Sequence, residues 1–306
     1  MPETERPPWS RPPCRHDLLE EHFEELETLW EQREASVLAL DWTLEDLDQQ
    51  EDRCEAHLDA LRLGELHSVD LALDQLSGAG WAASAAATFV LREAMQAEST
   101  QQILQAIDAA DPEDLLGIRS ALRHGPIHDL GDWLQGTADR SADGSPDQLA
   151  AVFDVLSFHR QERTDFDCLL IESATADHWI TSLDALRRVQ RLDSTHLERA
   201  VEHPDPGVRM AAMRAAAEVG LPSTPELCRR LSESSAEADP VAVTFLGVVG
   251  QAEDASLLAQ PINQGREPAA AVDALGRLGS TVSIPLLLEL MQDPDLGNAA
   301  AKAYAR

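Results

Sequence analysis

The sequence is short of aromatic side chains, of lysine and of long apolar runs, and each shortage excludes something. Tyrosine occurs once and aromatic residues make up 4% of the 306 positions, which is poor material for sheets. Lys302 is the sole lysine, so no phosphate-binding loop ending in Gly-Lys-[Ser/Thr] exists. No apolar stretch approaches the roughly 18 residues a membrane span needs, so no membrane insertion is expected. The opening Met-Pro-Glu-Thr-Glu-Arg-Pro-Pro has neither the basic nor the apolar region of a secretion signal. A cytoplasmic location is therefore expected. Cysteine is sparse: Cys14, Cys54, Cys168 and Cys228 lie far apart, a pattern of a reducing compartment rather than a disulfide framework. Basic residues are few, with 24 Lys plus Arg against 55 Asp plus Glu and a net charge of −31. Such a field repels phosphate backbones and anionic lipids, and nucleic acid is not an expected partner.

What is present favours helix. Hydrophobic residues make up 43% of the chain, dominated by alanine and leucine, enough for a sizeable core. Residues 1–16 hold five prolines and read as a flexible arm. From the N-cap candidate Asp17, Leu18, Leu19, His22, Phe23, Leu26, Leu29 and Trp30 recur at helical spacing. A second run carries Leu44, Leu47, Cys54, Leu58 and Leu61, with Glu51 in an apolar slot. Residues 17–63 thus predict a helical hairpin, which cannot bury both stripes alone and must cap the remainder of the chain.

Residues 64–306 repeat. Gly220, Gly250 and Gly279 are anchors spaced by about 30 residues. Eight positions earlier stand Ala212, Ala242 and Ala271; three earlier, Ala217, Gly247 and Gly276. One earlier stand Val219, Val249 and Leu278; seven later, Leu227, Leu257 and Leu286. Small residues let one helix approach the next, glycine supplies a left-handed C-cap, and the leucine seeds a returning helix. Asp205-Pro206, Asp239-Pro240, Glu267-Pro268 and Asp293-Pro294 punctuate the entries. The register continues back to positions 190 and 160 with decay: Gln190 replaces the glycine, and the returning leucine after 160 slips to Leu169. Trp81–Met95 with Ile103 and Ile107, and Leu115–Leu122 with Leu130 and Leu134, read as further pairs. The segment 137–146 is the strongest hinge candidate. The expected fold is all-α, a right-handed α-solenoid of helical hairpins behind an N-terminal helical cap.

The run from Asp205 to Gly220 resembles the short HEAT repeat of the phycobilisome-lyase type. The N-terminal segment Leu18 to Arg33, followed by Leu44, Leu47 and Arg53 to Leu61, resembles the opening of a family of bacterial HEAT-repeat proteins often encoded near type VI secretion clusters. That resemblance implies a cytoplasmic adaptor, chaperone or regulator whose partner is another protein, a secretion component or effector. It implies no catalytic residue.

Motifs that carry chemistry are few. Cys14, His16, Cys54 and His57 supply four zinc-ligand types, but neither pair has the tight knuckle of a structural site; no metal and no cofactor are expected. Gly78-Ala-Gly80 reads as a closely packed helix start, and His124-Gly-Pro-Ile-His128 as a solvated turn. Carboxylate pairs are too common to single out an acid–base dyad. The one basic concentration in the repeats is Arg187, Arg188, Arg191, Arg209 and Arg214. Pairing to neighbouring Asp and Glu is the plain explanation; an anchor strip for a partner's carboxylates is the sharper one. For the acidic field a solvated surface is the plain reading and the steering of a cationic partner the second. The expected function is a non-enzymatic protein-binding scaffold or adaptor; the alternative is an enzyme or lyase-like accessory protein with a ligand pocket in the solenoid.

Overall fold

The computed structural model describes residues 15–37, 39, 41–94, 97–125, 131–140, 145–161, 163, 165–171, 174–233, 239–265 and 268–306. The arm up to residue 14, residues 141–144 of the hinge candidate, and His128, Leu130 and Glu267 lie outside them. Among the described residues all regular structure is helical and no strand occurs. The chain forms two compact units, residues 1–161 and 162–306.

The first unit holds α1 (His16–Ser36), α2 (Leu44–Leu63), α3 (Leu66–Gln75), α4 (Trp81–Glu93), α5 (Ala97–Ala109), α6 (Pro112–His124), α7 (Gly131–Arg140) and α8 (Pro146–Phe158). Asp17 does not cap α1: it lies in the first turn and pairs with Arg15 at 2.5 Å, where a carboxylate still suits the helix dipole. Thr43 caps α2, its Oγ1 accepting from the Asp46 N–H at 3.2 Å while Asp46 accepts from the Thr43 N–H at 2.9 Å. The stripe of α2 differs from its sequence pattern. Leu44 is 85% exposed and Gln50 takes the buried place, its Nε2 donating to the Leu29 carbonyl at 3.0 Å. Glu51 stays exposed and pairs with Arg33 at 2.8 Å.

Helices α1, α4, α6 and α8 pack successively, with α2 and α3 flanking α1 and α4, and α7 flanking α8. The hairpin α1–α2 is tied to this row through Trp30, whose Nε1 donates to Ser120 Oγ at 3.2 Å and whose ring meets Phe89 edge-on. Gly117 on α6 faces the Trp81 carbonyl so closely that a Cβ there would overlap it. Gly78 and Gly80, by contrast, meet no close neighbour; they serve backbone φ values of 82° and 94°. The Gly78 N–H donates to the buried carboxylate of Asp114 at 2.6 Å, and Ser84 donates to the same group at 2.9 Å.

The second unit holds α9 (Ala176–Arg188), α10 (Ser194–Val201), α11 (Pro206–Val219), α12 (Thr224–Glu233), α13 (Pro240–Val249), α14 (Ala255–Asn263), α15 (Pro268–Leu278), α16 (Ile284–Leu290) and α17 (Gly297–Tyr304). Odd-numbered helices from α9 to α17 pack in series, and each even-numbered one leans chiefly on the odd helix after it. The tight hairpin is thus the returning helix with the next capped helix, not with the one before. Such adjacent pairing is compatible with an α-solenoid. Ala212, Ala242 and Ala271 are wholly buried in these contacts. Gly247 and Gly276 abut the backbones of Ala274 and Ala303.

The caps follow the register more faithfully than the residues do. Gly220 and Gly279 are left-handed at φ 68° and 63°, and so are Gln190 at 57° and Arg160 at 55°. At three of these ends the following N–H donates to the carbonyl five residues back, Gln161 to Leu156 at 2.8 Å, Arg191 to Leu186 at 2.8 Å and Leu221 to Ala216 at 2.9 Å. Gly250 departs: its backbone is extended at φ −75°. The deepest residue of each returning helix is one later than the expected leucine: Cys228, Leu258 and Leu287 are buried, while Leu286 is only half-buried. Leu169 is buried in a turn rather than a helix. Asp205 and Asp239 cap α11 and α13, and Asp111 does the same for α6. Asp293 instead closes a turn ahead of α17, accepting from Asp295 and Leu296 at 2.8 and 3.0 Å.

Candidate interaction site

The five arginines that the sequence clusters in the repeats divide. Arg187 on α9 pairs with Glu218 on α11 at 2.9 Å and with Asp184 one turn away at 3.3 Å. Arg214 on α11 reaches the same two carboxylates, each at 3.9 Å. Two guanidiniums thus share two carboxylates across a helix pair, and the patch carries no excess charge. Arg209 points elsewhere. It donates to the His203 and Pro204 carbonyls at 3.0 and 2.9 Å and pairs with Asp239, the α13 cap, at 2.9 Å. Arg188 is half-buried and Arg191 exposed. The structure therefore brings Arg187 and Arg214 together but assigns Arg209 to bracing a loop and the next helix entry. An anionic partner at Arg187 and Arg214 would have to displace carboxylates already in place.

Other pairs repeat this economy. Arg229 holds Asp254 at 2.7 Å, keeping that carboxyl below its usual range, and Arg277 and Arg306 both engage Asp273. In the first unit Arg119 and Arg123 converge on Asp154, which is buried on α8.

The histidines and cysteines of the zinc arrangement are not gathered. Cys14 lies outside the described residues. His16 meets His67 edge-on at 4.6 Å, and His57 meets His22, Nδ1 to Nδ1 at 3.0 Å. Burial and the neighbouring His22 lower the His57 pKa. Among the described residues no group of three or more His, Cys, Asp or Glu is placed to hold a metal ion. Burial pushes the thiols of Cys54 and Cys168 up to about 11 and that of Cys228 to about 12, far from a nucleophile's range. His124 packs against Trp30 at 5.2 Å and Phe158 at 5.7 Å. Burial, then the Arg33 charge, drops its pKa to about 4.

One concavity stands out in the first unit. Helices α2, α3 and α4 enclose a cleft of about 360 Å³ walled by Leu58, Leu61, Leu66, Val69 and Val90, with Arg62 and Glu93 at its edge. Sequence reasoning missed it. Its walls come from three helices and a corner at Gly64–Glu65, where Glu65 takes a left-handed φ of 48°; the positive φ carries no sequence signal in a glutamate.

No protein-family model matches the chain, and no curated protein matches it. No helix among the described residues is long and apolar enough to cross a membrane.

Proposed function

We propose that the chain is a non-enzymatic scaffold that binds another protein, with HEAT-like hairpins stacked solenoid-fashion inside each unit. The observation that carries this reading is the disposition of charge. Five repeat-region cations, Arg187, Arg209, Arg214, Arg229 and Arg277, each hold a carboxylate of the chain itself, and the net charge is −31. The surplus that faces outward is negative, so the partner's contact surface is basic. Serial packing of helices offers extended surface at low cost, since each hairpin needs only its neighbours. The raised thiol pKa values of the three described cysteines support a non-catalytic reading of them. A cytoplasmic adaptor accessory to type VI secretion is the role that the N-terminal resemblance supports.

The test begins with carbodiimide coupling in the native host, which joins this chain's carboxylates to a partner's lysines, and continues with mass spectrometry. The purified pair is then titrated calorimetrically from about 50 to about 300 mM salt. Binding that weakens about tenfold or more is expected. Binding indifferent to salt would overturn the basic-partner reading, and absence of any stoichiometric partner would overturn the scaffold.

A further inference from the structure

We infer that the cleft between α2, α3 and α4 is the docking point for a partner segment in which an aliphatic side chain is followed within one helical turn by lysine or arginine. The inference rests on the scaffold reading and names the chemistry its partner presents.

The volume suits the task. At about 360 Å³ the cleft lies at the small end of ligand-sized concavities and holds one or two aliphatic side chains. Its floor is buried and apolar: Leu61 is 1% exposed and Val90 5%. Its lip is apolar and open, because Leu66 is 63% exposed at the first turn of α3. Ser68 also lines it, only 2% exposed, with a hydroxyl that meets no hydrogen-bond partner.

Charge selects what enters. Arg62 is the single cation among the described residues of the cleft, and Glu55, Asp59 and Glu93 engage it together, with Glu55 at 2.7 Å and Glu93 at 2.9 Å. Those three contacts raise the guanidinium pKa beyond its ordinary value. Three carboxylates on one guanidinium leave an excess of two negative charges at the edge of an apolar floor. An anionic amphiphile is repelled there, and a neutral apolar side chain gains nothing from the rim. A side chain of leucine type with a cation beside it satisfies both.

The test uses the full chain, methyl-labelled at leucine and valine, and two fluorescein-tagged helical peptides. Both carry the same lysines; one carries leucines at i, i+3, i+4 and i+7, the other serines there. The leucine peptide is expected to bind about tenfold or more tighter by anisotropy and to shift the methyls of Leu61, Leu66, Val69 and Val90. Leu66→Ser, at an exposed site, should bring its affinity down to that of the serine peptide. Equal binding by the two peptides would overturn the cleft while leaving a basic partner in place. So would methyl shifts confined to α9–α17. Failure of both peptides to bind at low salt would remove the basic-partner reading as well.

Discussion

Gly247 sits mid-helix in α13, where glycine is worth about 1 kcal/mol less than alanine for helix formation, so Gly247→Ala would stabilise an isolated helix. In the folded unit the new Cβ would stand 2.6 Å from Ala274 Cα and 2.5 Å from its carbonyl oxygen. Carbon atoms rest at about 3.5–4.0 Å, and the obstacle is backbone, which cannot rotate aside. Helices α13 and α15 must then separate by about 1 Å. Overpacking of this kind costs about 1–3 kcal/mol. Set against the propensity gain, that leaves a net loss of up to about 2 kcal/mol. Urea unfolding monitored by circular dichroism should show a midpoint lowered by up to about 1 M. Gly276→Ala should behave alike, because its Cβ would meet Ala303 Cα at 2.6 Å. Gly131→Ala is the control: among the described residues nothing lies within 4 Å of its Cβ at the start of α7. If Gly247→Ala raised the midpoint as Gly131→Ala does, close helix approach would not be what selects small residues three before the cap.

Three other expectations are as direct. Gln190→Gly and Arg160→Gly should each raise stability by up to about 1 kcal/mol, relieving a left-handed side chain, while Gly220→Ala lowers it; opposite signs in a thermal melt would refute the cap assignment. Ala212→Glu should cost several kcal/mol by forcing a charge into a fully buried helix contact, and an unchanged melting temperature would discard the register. His124 should titrate near 4 rather than 6.5 by proton NMR. Its pKa is lower in the folded chain, so the unfolded chain takes the proton first. Its contribution is present above about 6.5 and drains away as pH falls toward 4. His124→Gln should flatten that slope, and an unaltered pH profile would count against it.

The all-helical fold and the spacing of the C-terminal helices were legible because they depend on local chemistry: Asp-Pro entries, alanines at buried contacts, glycine at an exit. What escaped the sequence depends on backbone or on distant partners. Gln190 and Arg160 take the glycine conformation because a returning N–H fixes it, and no side chain records that. Gly117 was invisible because its neighbour is the Trp81 carbonyl, 36 positions earlier. Leu44 fits the α2 stripe by spacing, yet it opens the helix and is exposed, while Gln50 is buried through its bond to the Leu29 carbonyl. The arginine cluster was real in composition. Which carboxylates would claim each member depended on helix crossings that spacing cannot supply.

The equivalent exits at Arg160, Gln190 and Gly220 give the molecule a natural increment of length. Residues 191–220 begin just after one such exit and end at the next, enclosing α10 and α11 as a complete hairpin. A gene duplicating that interval in tandem would insert a module whose incoming and outgoing backbone already match its neighbours, whereas an insertion of half that size would leave an unpaired helix. Growth and shrinkage of this architecture by whole modules is thereby built into its hydrogen bonding.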